Sequence, residues 1–324
     1  MEKINQKKTF KIEKDKITKN ILIVGSGRWA KEIVKVINSN FTNIKKIFIL
    51  TNYKKQFSNW TTKSINKKIY YLSSLEELRK INCHDAIIAN QNKDHLRYSK
   101  YLINNNFNVL VEKPLFLKEK EYNYLILLSK KKNKKILLSL PYLFASPFNF
   151  ISKKINRERL YKLNFYWFDK NQEIKNKLLK KHDLNINFTS DIFFHIYSIL
   201  VNMNFNTKFS YFSKIKIIKN YEKFNFGNKN LEINIISSRY AKVRKRILEI
   251  MLKNGKKYII NFSKDLNFKA KINNKLIKVP KKFLDTTLKY QIFFFLRNEQ
   301  TGINNNKLNK LKRLFQYLEI FNKK

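Results

Sequence analysis

Apolar positions in the first half of the chain alternate between two patterns. Ile21 to Val24 form an unbroken run of β-favouring residues, as a strand buried on both faces needs. Just beyond it Ala30, Ile33, Val34 and Ile37 recur at helical spacing. The alternation then repeats. Residues 45–50 (KKIFIL) predict a second strand, 75–81 (LEELRKI) a short helix and 85–90 (DAIIAN) a third strand. Residues 93–106 predict a helix, 108–112 (NVLVE) a strand, 118–133 a helix and 135–142 (KILLSLPY) a further strand. Strands and helices joined by short connections predict an α/β unit built on a parallel, doubly wound sheet. Ligands on such sheets bind beyond the carboxyl ends of the strands, where Gly25, Asn90, Lys113 and Tyr142 fall.

Composition sharpens the first turn. Lysine, asparagine, isoleucine, phenylalanine and tyrosine are abundant, whereas glycine (5) and proline (4) are scarce. Those excesses are what an AT-rich coding sequence produces. A glycine in this background marks a local requirement. Two of the five stand together, Gly25 and Gly27, between the first strand and the first helix. That context lifts a G-x-G-x-x-A pattern above a chance match. Gly25 permits the tight turn, Gly27 lets the backbone approach a pyrophosphate at the helix start, and Ala30 takes the place of a third glycine.

The same bias accounts for the charge. A net +46 invites a polyanion partner, but the lysines are spread along the whole chain rather than gathered in one arm or helix. They read as solvated faces, and no specific nucleic-acid partner is expected. At 324 residues, 43% hydrophobic and 15% aromatic, the chain is long and apolar enough for one large or two ordinary domains. No apolar run reaches the length of a membrane span, and residues 1–19 read as a polar arm rather than a signal peptide. The single cysteine, Cys83, excludes an internal disulfide and a cysteine-based zinc site, so no metal is expected. The plain expectation is a cytoplasmic protein acting on a small molecule.

Three segments in order, VGSGRWA, IIANQNKDH and VLVEKPL, followed by SDIFFHIYSIL, carry a family resemblance. The chain resembles the Gfo/Idh/MocA oxidoreductases, relatives of glucose–fructose oxidoreductase and inositol dehydrogenase. The resemblance implies a Rossmann domain over 20–140. It also implies a C-terminal α/β domain over 141–324 with a large, mostly antiparallel open sheet. Residues 159–168, 209–220, 231–240, 245–262 and 266–279 follow the strand rhythm of that second sheet. Residues 287–298 and 306–321 follow the terminal helices. A homo-oligomer, dimer or tetramer, is implied by analogy.

The resemblance also implies the site. Lys113 ends an apolar strand where a nicotinamide lies, and reaches the substrate hydroxyl or carbonyl. Asp191 and His195, four apart on one helix face, supply an acid/base histidine and a carboxylate that holds its tautomer or bonds the substrate. Read without the resemblance, they are a capping aspartate and a buried histidine. Gly25, Ser26, Gly27, Arg28, Trp29, Asn52, Asn90, Asn92, His95, Glu112 and Lys113 would surround the cofactor. For His95 and Trp29 a packing role is an equal alternative, and Glu112 reads as an orienting partner. The second strand ends in Thr51 and Asn52, followed by Lys54 and Lys55, with no acid to hold ribose hydroxyls. Together with Arg28 this tolerates a 2′-phosphate, so the cofactor is NADP or NAD with NADP preferred. The implied reaction passes hydride between nicotinamide and a sugar, nucleotide-sugar or polyol derivative. A reductase of imines or other unsaturated bonds, and a nucleotide-binding protein without turnover, remain open. The last is suggested by Phe193, Ser198 and the missing glycines before Asp191, where the chain departs from the family pattern.

Overall fold

The computed structural model describes residues 19–53, 58, 65, 67–113, 119–155, 159–172, 174–175, 178–179, 188–213, 215–263, 268–281, 287–297 and 313–320. The first unit runs β1 (Lys19–Val24), α1 (Arg28–Asn40), β2 (Ile44–Leu50), β3 (Lys68–Leu72), β4 (Asp85–Ile88), α2 (His95–Asn104), β5 (Asn108–Val111), α3 (Glu119–Lys131) and β6 (Ile136–Leu138). Its sheet has the order β3-β2-β1-β4-β5-β6, every neighbouring pair parallel. The order reverses between β1 and β4, the position at which doubly wound sheets open a ligand crevice. Ile21 to Val24 and Asp85 to Ile88 are buried throughout, because helices cover both faces of the central strands.

Several elements differ from the sequence expectation. An edge strand, β3, precedes the segment 75–81; its burial alternates, so it offers no apolar run to recognise. Segment 75–81 itself forms only a 3-10 turn, Glu76–Lys80. The strand expected over 135–142 stops at Leu138, and Pro141 opens a 3-10 turn, Pro141–Phe144. A short helix without forewarning, α4 (Ser146–Ser152), follows.

The second unit is built on one long strand, β7 (Leu160–Lys170). A small hairpin, β8 (Ile174–Lys175) and β9 (Leu178–Leu179), and helix α5 (Phe188–Asn202) come next. Then follow β10 (Tyr211–Phe212), β11 (Lys216–Ile218), β12 (Tyr221–Asn228), β13 (Leu231–Ala241), β14 (Lys245–Leu252), β15 (Lys257–Asn261), β16 (Lys269–Ile272) and β17 (Lys275–Ile277). They form a nine-stranded sheet ordered β10-β12-β13-β7-β14-β15-β16-β17, with β11 also beside β12. Only β13 and β7 run parallel. Residues 209–220 thus form two short strands rather than one, and β12 was not foreseen. Alternate residues of β7, Leu163, Phe165 and Trp167, are buried, and α5 packs over the neighbouring β12 and β13. Helix α5 is apolar almost all round, as a helix enclosed on several sides must be.

The C-terminal elements bind the units together. Helix α6 (Thr287–Leu296) returns to the first sheet, and Leu288, Ile292, Phe295 and Leu296 share one core with Ile21, Ile33 and Ile47. The ammonium groups of Lys19 and Lys135 donate to carbonyls at its C-terminus, Leu296 and Arg297. A last helix, α7 over 313–320, packs on α3 with Phe315 stacked on Tyr122 at 4.2 Å. Division at residue 140 therefore separates the sheets, while the chain's end contributes to both units.

Candidate active site

Gly25 leaves β1 with φ +113°, and a Cβ there would stand 2.8 Å from the Ala89 carbonyl oxygen. Only glycine lets the ends of β1 and β4 pass this closely. Gly27 caps α1, and a Cβ built on it meets no protein atom within 4 Å. The helix start has no side-chain cap and no acid in its first turn. This is the cradle a pyrophosphate needs: open space over glycine and uncapped helical N–H groups. Ser26 Oγ and Thr51 Oγ1 lie 2.6 Å apart, joining the ends of β1 and β2, and Asn52 is exposed next to them.

Three strand ends continue the wall. Beyond β4, His95 is 1% exposed, and its Nε2 lies 3.3 Å from the Asn90 carbonyl oxygen. His95 thus braces the Asn90 loop from beneath. Beyond β5, Glu112 is buried and accepts a 2.5 Å hydrogen bond from Ser139 Oγ. Burial pushes its carboxyl up to about 7, and hydrogen bonds from Ser139 and Trp29, with the Lys113 charge, oppose the rise. Lys113 points the other way, its Nζ 2.8 Å from Asp191 Oδ1. Pro114, Lys54 and Lys55 lie outside the described residues.

Asp191 and His195 come from the first two turns of α5. The imidazole stacks on Trp167 with centroids 5.2 Å apart and planes 8° from parallel, and meets Tyr142 edge-on at 5.3 Å. Asn202, lower on the same helix, donates to the Tyr142 and Ala145 carbonyls at 2.8 and 2.9 Å, which fixes the Tyr142 turn. On the other side, the Arg246 guanidinium lies 4.1 Å from the Trp167 ring centroid, pairs with Asp169 and donates to the Phe168 carbonyl at 2.6 Å.

These groups border one cleft of about 400 Å³ between the two sheets. Lys113, Asp191 and His195 line it together, as do Arg28, Trp29, Asn90, Asn92 and Glu112. Gly25, Ser26 and Gly27 form the turn beside it and Asn52 follows β2; Asn52 and the buried His95 do not line the cleft. Phe193 and Ser198 are fully buried and do not line it; Ser198 Oγ donates to the His195 carbonyl within α5 at 2.7 Å. The departures from the family pattern at these two positions therefore lie behind the site. Sequence reasoning missed Trp167, Asp169, Arg244 and Arg246, and gave Tyr142 no role. One signal was present: two of the chain's 3 tryptophans, Trp29 and Trp167, line the cleft.

A glycine cradle at the switch point of a parallel sheet thus shares one cleft with a lysine, a carboxylate and a histidine. Residues 19–139 match the family GFO_IDH_MocA, described as oxidoreductase family, NAD-binding Rossmann fold. The match covers the first unit and agrees with the resemblance that the motifs carry. No curated protein matches it. Among solved structures it resembles a dehydrogenase (MviM) from Clostridium difficile, with 19% identity, TM-score 0.69, and coverage of 94% of this chain and 99% of that one. It also resembles UDP-N-acetylglucosamine 3-dehydrogenase GnnA from Acidithiobacillus ferrooxidans, with 11% identity, TM-score 0.71, and coverage of 94% and 97%. A third is myo-inositol 2-dehydrogenase from Lactobacillus plantarum, with 13% identity, TM-score 0.69, and coverage of 94% and 96%. At these identities the likeness is one of fold. Among the described residues no helix is long and apolar enough to cross a membrane.

Proposed function

We propose that the chain is an NAD(P)-dependent oxidoreductase acting on a sugar, nucleotide-sugar or related polyol derivative. The observation that carries this reading is the meeting of Lys113, Asp191 and His195 in one cleft beside the glycine turn. Two proteins of similar fold, named above, are dehydrogenases of a nucleotide sugar and of inositol.

Gly25, Gly27 and the start of α1 would hold the pyrophosphate, and Trp29, Asn90 and Glu112 would border the nicotinamide end. Bound there, a nicotinamide supplies or accepts a hydride. Asp191 anchors the Lys113 ammonium, which donates to the substrate oxygen and stabilises negative charge developing on it. His195 takes the hydroxyl proton in oxidation, or returns it in reduction. Trp167 and Tyr142 hold its ring in one plane, so little reorganisation accompanies the transfer. The reading favours NADP over NAD, because Thr51 and Asn52 follow β2 without a carboxylate and Arg28 borders the cleft.

The test is a purified-protein assay with both cofactors against sugars, UDP-sugars, inositols and cyclic imines, repeated with Lys113→Ala. Turnover of hydroxylated substrates that collapses in the variant is expected. Undiminished turnover in the variant removes the reading, and activity confined to imines assigns the site to C=N reduction instead.

A further inference from the structure

We infer that Arg246 is a positioning residue, setting the plane of the His195 imidazole through the Trp167 indole that neighbours both. This role rests on the reaction proposed above, in which His195 carries the proton.

The residue type is the first observation. Only 10 of the chain's 69 basic residues are arginine. A guanidinium kept in a lysine-rich background points to a need for its flat, forked shape. Arg246 is 5% exposed, and its partner Asp169 is buried with it. Burial pulls the guanidinium pKa down, and the Asp169 charge opposes the fall. A buried ion pair is weak evidence for stability, because apolar residues of similar volume often serve as well. The pair therefore calls for a task beyond holding the sheet together.

Its contacts supply one. Arg246 stands opposite Trp167 in the β14–β7 register. Its main chain is tied to the residues that follow β15: its N–H donates to Ser263 Oγ, and its carbonyl accepts from the Phe262 N–H, both at 2.9 Å. Nη1 donates to the Phe168 and Lys245 carbonyls at 2.6 and 3.2 Å, and Nη2 donates to Asp169. These bonds hold the guanidinium 4.1 Å from the indole centroid. Tyr142 and Phe262 meet the same indole edge-on, each at 5.9 Å, so it has little room to tip. The imidazole then lies parallel to the indole, within 8°.

The chemistry makes this plane matter. His195 exchanges a proton with the substrate oxygen, so a tilt of its ring is felt in the transfer rather than in binding. A lysine at 246 would keep a charge beside Asp169, but its compact ammonium has no plane to lay on the indole and no fork to reach two carbonyls and a carboxylate in fixed geometry. The indole would gain freedom, and the imidazole would lose its parallel support.

Proton NMR of the histidine rings in the full-length protein tests this, with steady-state kinetics beside it. The chain has 4 histidines, and the His195 signals are identified by their loss in His195→Gln. In the wild type they are expected upfield of ordinary histidine values, shifted by the indole ring current. Trp167→Leu should abolish that shift, and Arg246→Lys should remove most of it while thermal unfolding stays cooperative. On the hydroxylated substrate turned over best, Arg246→Lys should lower kcat by roughly 10- to 100-fold and leave KM within about two-fold. Combined with Trp167→Leu it should add little, since both act on one ring. If Arg246→Lys does not fold, Arg246→Met with Asp169→Asn takes its place, because it removes both charges and leaves neither buried alone. A lower thermal midpoint with the His195 shift and kcat unchanged would make the pair structural and overturn the inference. An effect on KM alone, or additive losses with Trp167→Leu, would overturn it too. If the wild type turns nothing over, the oxidoreductase reading falls, and the His195 shift alone decides whether Arg246 places the imidazole.

Discussion

Lys113 Nζ stands 2.8 Å from Asp191 Oδ1, although 78 positions of sequence separate them. The pair bridges the two units at the cleft: the lysine ends a strand of one sheet and the aspartate opens a helix packed on the other. Chain connectivity gives no reason for the contact, whereas a shared task at a substrate oxygen does.

Lys113→Ala is therefore expected to cut turnover by roughly two to four orders of magnitude, the range for losing a positioned acid/base group. His195→Ala should fall in the same range. Nucleotide affinity, read by cofactor fluorescence, should change little in either, because the pyrophosphate cradle lies at Gly25 and Gly27. Loss of cofactor binding in both would show that the damage is to folding rather than to chemistry.

The two glycines should respond differently. Gly27→Val places a side chain in open space, so the protein should fold normally and lose nucleotide binding. Gly25→Ala drives a Cβ against the Ala89 backbone at a left-handed φ, so its thermal midpoint should drop. Equal stability of the two variants would contradict the geometry at Gly25.

Glu112 predicts a pH dependence. Its carboxyl rises from the usual 4.5 to about 7 in the fold because burial disfavours the charge. The folded state thus binds the proton more readily than the unfolded chain. The resulting stabilisation is complete below about 4.5 and is lost as pH climbs through about 7. Relative to Glu112→Gln, which cannot ionise, the wild type should lose on the order of 3 kcal/mol between pH 4 and 8. Denaturant midpoints of both proteins across that interval measure it, and a constant difference would mean the carboxyl titrates normally.

Cys83 is 4% exposed, and burial pushes its thiol up to about 12. It should resist alkylation in the native protein at pH 8 and react fully once denaturant unfolds the first unit. Rapid labelling of native protein would place Cys83 at the surface, against the structure.

Much of the first sheet was legible because its central strands are buried on both faces and so read as continuous apolar runs. The half-exposed edge strand at 68–72 has no such signature and stayed hidden. The early end of β6 was not read from Pro141, although proline is a strong punctuator. Lys113, Asp191 and His195 were found through motifs. Their convergence depends on helix α5 packing over β12, β13 and the Pro141–Phe144 turn, long-range contacts that spacing does not encode. Trp167 and Arg246 belong to strands whose inward faces, Asp169 apart, are otherwise apolar, so nothing local separates them from core and surface residues. Only their rarity in a lysine-rich, tryptophan-poor chain distinguished them.

Helix α6 has a consequence for biosynthesis. The nucleotide-binding unit begins at Lys19, yet the layer beside α1 on the same face of its sheet is completed by Leu288, Ile292 and Phe295. A ribosome must deliver the whole nine-stranded sheet before that layer exists. Throughout this interval the apolar surface of the early unit remains uncovered, open to chaperones and to neighbouring nascent chains. Shortening the gene from its 3′ end would thus injure first the part of the protein encoded at its 5′ end.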